Sequence, residues 1–110
     1  MRTIYHLVPR RVWEENSDQP YRAESLASEG FIHCSFAEQV ARSANRFHAD
    51  TVDLLLLHID ADRLSSPLRE EESGTGEIFP HIHGPLNREA VAAVEALVRG
   101  SDGHWQFSES

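Results

Sequence analysis

The chain has 110 residues, 40% apolar and 25% charged, enough for one domain of ordinary soluble composition with one modest core. Its net charge of -8 argues against broad, sequence-independent binding to nucleic acid, which needs many phosphate-neutralising cations; a small anion in a local basic pocket remains compatible with it. Every cationic residue is an arginine, so no lysine is present for Schiff-base or P-loop chemistry, and the single Cys34 leaves no internal disulfide.

No apolar run is long enough to span a bilayer; the leucine run 54–57 has only four residues. The sequence enters a strand pattern at Thr3 without a hydrophobic leader, so the expected location is the cytoplasm. There is no internal repeat and no low-complexity linker, which leads to the expectation of one domain over residues 1–110.

Residues 3–8 read as a first strand, and Pro9 opens a short helix over 10–16. Asp18-Gln19-Pro20 is a turn, and 21–26 reads as a short strand or an extended lead into a helical turn that Gly30 ends. Residues 31–35 form the second strand. Ser35 with Glu38 predicts a capping box for a helix running to about Phe47, with Phe36, Val40, Ala44 and Phe47 as its apolar stripe. The apolar run 52–59 predicts a central strand, and 68–72 a polar edge strand.

Ser73-Gly74-Thr75-Gly76 reads as a hairpin connection, with a flap over a pocket as the functional alternative. Residues 78–83 are a third strand, in which Pro80 argues for an edge or a bulge. Asn87 then predicts a cap for an amphipathic helix over 88–99 that Gly100 ends. Trp105 and Phe107 suit a last strand. The pattern is α+β: a small, curved, mainly antiparallel sheet with helices packed on it.

Three histidines, His6, His33 and His81, lie in these apolar strands, where an imidazole is costly unless it is hydrogen-bonded. Side chains alternate along a strand, so Phe31, His33 and Ser35 share one face, as do Phe79, His81 and His83; His6 sides with Ile4 and Val8, opposite Tyr5. Taken singly, each histidine is a core or edge residue bonded to a backbone carbonyl. Taken together, they predict one pocket with aromatic walls, the Ser35 hydroxyl and the following helix N-terminus beside it. His48, His58 and His104 read as structural or solvated, and Cys34 as a small core residue.

Alternative chemistries are open. His81-Ile82-His83 is a His-x-His pair on one face, with His6 or His33 as a third metal ligand, but no carboxylate is spaced to complete a set and no metal is expected. Ser35 with His33 lacks the glycines of a nucleophile elbow. The run Glu70-Glu71-Glu72 reads first as a solvated edge. Its functional reading takes Glu71 into the pocket to orient an imidazole or a ribose hydroxyl.

Several segments together resemble a bacterial family catalogued as a domain of unknown function, DUF952: Tyr5-His6, Glu29-Gly30-Phe31-Ile32-His33-Cys34-Ser35, Asp53-Leu54-Leu55-Leu56-Leu57 and Phe79-Pro80-His81-Ile82-His83-Gly84-Pro85-Leu86. The resemblance runs over roughly 4–95. It implies a fold similar to the ADP-ribosyltransferase superfamily, a split, curved sheet that holds NAD in a central cleft. His6 would then be the first-strand polar group and His33 the second. The third position, where the superfamily has an acid, is met by His81 or a neighbour, with no evident glutamate there. That departure weighs against mono-ADP-ribosyl transfer to protein. Phe36 and His83 also depart from the family's threonine and tyrosine.

The combined reading names His6, His33 and His81 as catalytic candidates and Tyr5, Ser35, Glu71 and His83 as ligand-binding ones. The expected ligand is NAD or a related nucleotide or anion, used in an NAD-linked group transfer. The alternatives are a non-catalytic small-ligand or partner-binding module and a histidine metal site. No membrane partner is expected.

Overall fold

The first strand, β1 (Thr3–Pro9), owes its place to alternation: Ile4 and Val8 enter one core and Tyr5 another. The structure, a computed structural model, describes residues 2–109. β3 (Leu54–Asp60) is apolar on both faces for the same reason. Its Leu55, Leu57 and Ile59 join Ile4 and Val8, while Leu54 and Leu56 join Tyr5, Val40, Ala44 and Trp105. β3 is the central strand of an antiparallel sheet in the order β1-β3-β6, where β6 is Val91–Ala96.

The second sheet has the order β2-β5-β4, also antiparallel, built from β2 (Ile32–His33), β4 (Leu68–Glu72) and β5 (Ile78–Ile82). Ile32, Cys34 and Ile82 turn inward to pack against the first sheet. A two-stranded hairpin, β7 (Val98–Arg99) with β8 (Trp105–Gln106), closes the second core. Instead of one curved sheet, the chain therefore makes two three-stranded sheets and a hairpin.

Pro80 lies in the central strand of its sheet, not at an edge or bulge as the sequence suggests. Its carbonyl accepts from the Cys34 amide at 3.1 Å, but it has no N–H to return the bond. The β2–β5 ladder stops there, and the next residue, Ser35, pairs with Tyr5 of β1 through two backbone bonds of 2.9 and 2.7 Å. The chain is thus handed from one sheet to the other.

Three helices fill the connections: α1 (Arg10–Glu14), α2 (Glu24–Glu29), ended by Gly30 at φ 89°, and α3 (Val40–Phe47). α3 is preceded by a 3-10 turn, Ala37–Gln39. Its cap is Phe36, whose amide donates to the Gln39 side chain at 2.9 Å, so the expected Ser35–Glu38 box does not form. Val40 and Ala44 are buried as expected; Phe47 is 70% exposed.

The expected helix over 88–99 is instead a 3-10 turn, Arg88–Ala90, followed by β6 and β7. Val94 and Val98 are exposed, so no apolar stripe is buried that would hold a helix. The free edge of β3 offers a row of backbone donors and acceptors, and the β-branched valines satisfy it as a strand.

Candidate functional site

A cleft of about 980 Å³ opens between the sheets, and His6, His33 and His81 all line it. β1 brings His6, β2 brings His33 and β5 brings His81; the register sets His33 directly opposite His81. Their ring centroids are 5.4 Å apart. Phe31 stacks on His81 at 4.1 Å and meets His33 edge-on at 4.8 Å. The three imidazoles do not share one environment.

His6 is buried and its ring is fully used by the protein. Nδ1 lies 2.5 Å from the His33 carbonyl oxygen, an acceptor only, so Nδ1 carries the proton. Nε2 then accepts from the Tyr21 hydroxyl at 2.8 Å. Burial lowers the His6 pKa to about 4, against the pull of its bond to the His33 carbonyl. Burial likewise raises the Tyr21 phenol well above its usual range, which keeps it a proton donor. His6 therefore ties β1 to β2 as a neutral ring.

His33 is not interior, as the sequence had implied. Its side chain is 55% exposed, and its Nε2 meets Glu29 of α2 at 3.0 Å. The backbone of His33 anchors His6 while its ring faces the cleft.

His81 is the buried imidazole with a free edge. Its Nδ1 lies 2.8 Å from Glu71 Oε1, and His83 Nε2 approaches the same oxygen at 2.7 Å. The His83 and His81 hydrogen bonds hold the Glu71 carboxyl below its ordinary range, so it is ionised at neutral pH and both nitrogens donate to it. His81 Nε2 makes no hydrogen bond among the described residues. Because no buried side-chain nitrogen there is left unpaired, that atom is not fully buried, and His81 lines the cleft. Glu71 stands diagonally across the β4–β5 pair from His81, which faces Arg69 in the register. With the two histidines it forms a set of three possible metal donors, all within 4.8 Å of one another.

Of the remaining sequence candidates, Ser35 lines the cleft and is buried, with its backbone paired to Tyr5. Tyr5 does not join it. Its ring belongs to the second core, packed on His58 and Phe107 at 5.1 and 5.3 Å, because strand parity turns it away from His6. Glu71 and His83 stand behind His81 and do not line the cleft. Sequence reasoning missed Tyr21, which holds its place through a single backbone bridge to Leu86 and leaves no periodic signal. It also missed the rim arginines Arg11, Arg42 and Arg46. The last two are one helical turn apart on α3, a spacing visible in the sequence.

The fold and cleft define a small α+β domain in which two antiparallel sheets meet around histidines. The chain belongs to the family described as "Protein of unknown function (DUF952)", whose model matches residues 7–94. It is similar to the crystal structure of protein CC0527 from Caulobacter crescentus, at 29% identity and a TM-score of 0.85, over 96% of this chain and 94% of that one. The solution NMR structure of CC0527 is similarly close, at 30% identity and a TM-score of 0.82, over 96% and 93%. No curated protein matches the chain. No helix among the described residues is long and apolar enough to cross a membrane.

Proposed function

We propose that the cleft binds NAD or a related nucleotide and that the chain uses it in a group transfer, with His81 as the proton acceptor and Glu71 as the residue that positions it. One observation carries the reading: His81 lines the cleft with Nδ1 fixed on a carboxylate and Nε2 left without a partner among the described residues. A carboxylate behind an imidazole orients the ring and stabilises it when it takes a proton. On this reading Glu71 supplies the acid that the superfamily resemblance implies, acting through His81. In the transfer, the bond from ribose to nicotinamide breaks as the bond to the nucleophile forms. Nicotinamide leaves with the bonding pair, and the nucleophile's proton passes to His81 Nε2.

The surroundings suit such a ligand. Phe31 and Phe79 offer aromatic walls, and Arg11, Arg42 and Arg46 offer cations for phosphates on a chain that is otherwise acidic. Arg42 pairs with Glu77, whereas Arg46 has no carboxylate partner among the described residues. Two sheets meeting at a seam also fit the split, curved sheet that the resemblance implies.

Ligand-observed NMR with NAD, ADP-ribose and nicotinamide tests the reading, together with an assay of nicotinamide release. The expected result is binding of the ADP-ribose-containing ligands, lost in His33→Ala, with release abolished in His81→Ala. Absence of binding by all three at millimolar concentration overturns it. A second reading, binding without turnover, is favoured by His6, whose two nitrogens are already occupied and offer nothing to a ribose. Binding without nicotinamide release over long incubation would select it.

A further inference from the structure

The His-x-His pair of β5 gains a carboxylate from β4. We propose that Glu71, His81 and His83 form a binding site for a divalent transition-metal ion such as Zn²⁺, held by Glu71 Oε1, His81 Nδ1 and His83 Nε2. These atoms lie within 4.8 Å of one another, with the carboxylate oxygen 2.8 and 2.7 Å from the two nitrogens that donate to it.

Two imidazoles and one carboxylate are a donor set that zinc and its neighbours accept, at about 2.0–2.1 Å from each atom. Tetrahedral ligands at that radius stand roughly 3.3 Å apart, so the carboxylate oxygen needs to draw back from each nitrogen by about half an ångström while the two nitrogens, which lie within 4.8 Å of each other, adjust around it. The ligands sit where that movement is easy. β4 is an edge strand, and Glu71 and His83 are 37% and 22% exposed, which also gives the ion a way in. His81, 8% exposed, is the rigid member. Phe31 walls the group on one side, stacked on His81 and 5.4 Å from the His83 ring. Three protein ligands leave a position for water or a substrate atom, the pattern of a reactive site and not of a closed structural one.

Occupancy also changes the cleft. In the metal-free site the neutral His81 ring has its proton on Nδ1 and a lone pair on Nε2. With Nδ1 on the metal, the proton moves to Nε2, and the atom facing the cleft turns from acceptor into donor. The metal site does not depend on nucleotide binding, and His83, which is outside the cleft wall, separates the two.

The test uses protein without a histidine tag, titrated with Zn²⁺ by calorimetry and by NMR of the imidazole signals, with Co²⁺ absorption as a report on geometry. The expected result is one equivalent per chain, with His81 and His83 shifting first. Affinity should fall at least tenfold in His83→Ala and in Glu71→Ala but not in His104→Ala, a control on an exposed histidine. Binding of less than a tenth of an equivalent overturns the proposal. So do shifts centred on His33, His58 or His104, or a Glu71→Ala protein that binds as tightly as the unaltered chain. The imidazole shifts are read on the unaltered chain and do not depend on the variants folding.

Discussion

His6 Nε2 lies 2.8 Å from the Tyr21 hydroxyl, and the two residues sit on segments that share no sheet. Burial keeps His6 neutral, and this sets a pH dependence. The unfolded chain titrates His6 near 6.5 and the folded chain near 4. Between those values the unfolded state holds a proton that the folded state refuses, so stability is complete above pH 6.5 and falls as the pH drops toward 4. The loss attributable to His6 is about 3 kcal/mol across the window. Urea unfolding at pH 7, 6, 5 and 4 measures it. A His6→Gln protein should have a markedly flatter profile, and an equally steep one would show that another group is responsible.

Tyr21→Phe keeps the ring against Trp13, 5.6 Å between centroids, and removes only the hydroxyl. It leaves Nε2 of a buried imidazole without its donor. The expected cost is about 1–3 kcal/mol, read from the urea midpoint at pH 7.5. A change below about 0.5 kcal/mol would mean that water replaces the phenol.

Glu71 titrates below its ordinary range chiefly because His83 and then His81 donate to it. In a pH titration followed through the side-chain carboxyl carbons, His83→Ala should move the Glu71 midpoint back up toward 4.5. An unmoved midpoint would show that the Glu71–His83 bond does not form in solution.

The turn after β5 depends on Gly84. Its φ is 156°, and a Cβ built there would lie 2.5 Å from Ser66 Oγ and 2.9 Å from Ser66 Cβ. Ser66 is held in place by a 2.7 Å bond to the Pro85 carbonyl. Gly84→Ala should destabilise the protein by about 1–3 kcal/mol. Ser66→Gly in the same chain should recover part of it in thermal unfolding. An additive double variant would locate the strain elsewhere.

Much of this fold could be read from residue order. The runs 3–8 and 54–59 are strands because their apolar residues saturate one or both faces, and Val40 and Ala44 mark the buried side of α3. Parity also explains why Glu71, and not Glu70 or Glu72, meets His81: it is the member of its run that shares that face. β6 was illegible because its valines and alanines fit a helical stripe as well as a strand. Only the open edge of β3, a partner set by the rest of the fold, decides between them. Tyr21 was illegible for a related reason. Its role comes from a bridge to Leu86 and a bond to His6, both between positions distant in sequence.

Pro80 has a consequence that reaches past its own strand. Among the described residues, the Tyr5–Ser35 bridge is the place where backbone pairing joins the two sheets. Elsewhere they are held together by interdigitated side chains such as Ile4, Ile32 and Ile82. The width of the cavity between them is therefore set by side-chain volume and not by the fixed spacing of a hydrogen-bond ladder. Exchanging one core residue for a larger or smaller one can retune the calibre of the cavity while every histidine stays in register, so the same scaffold can be fitted to ligands of different girth.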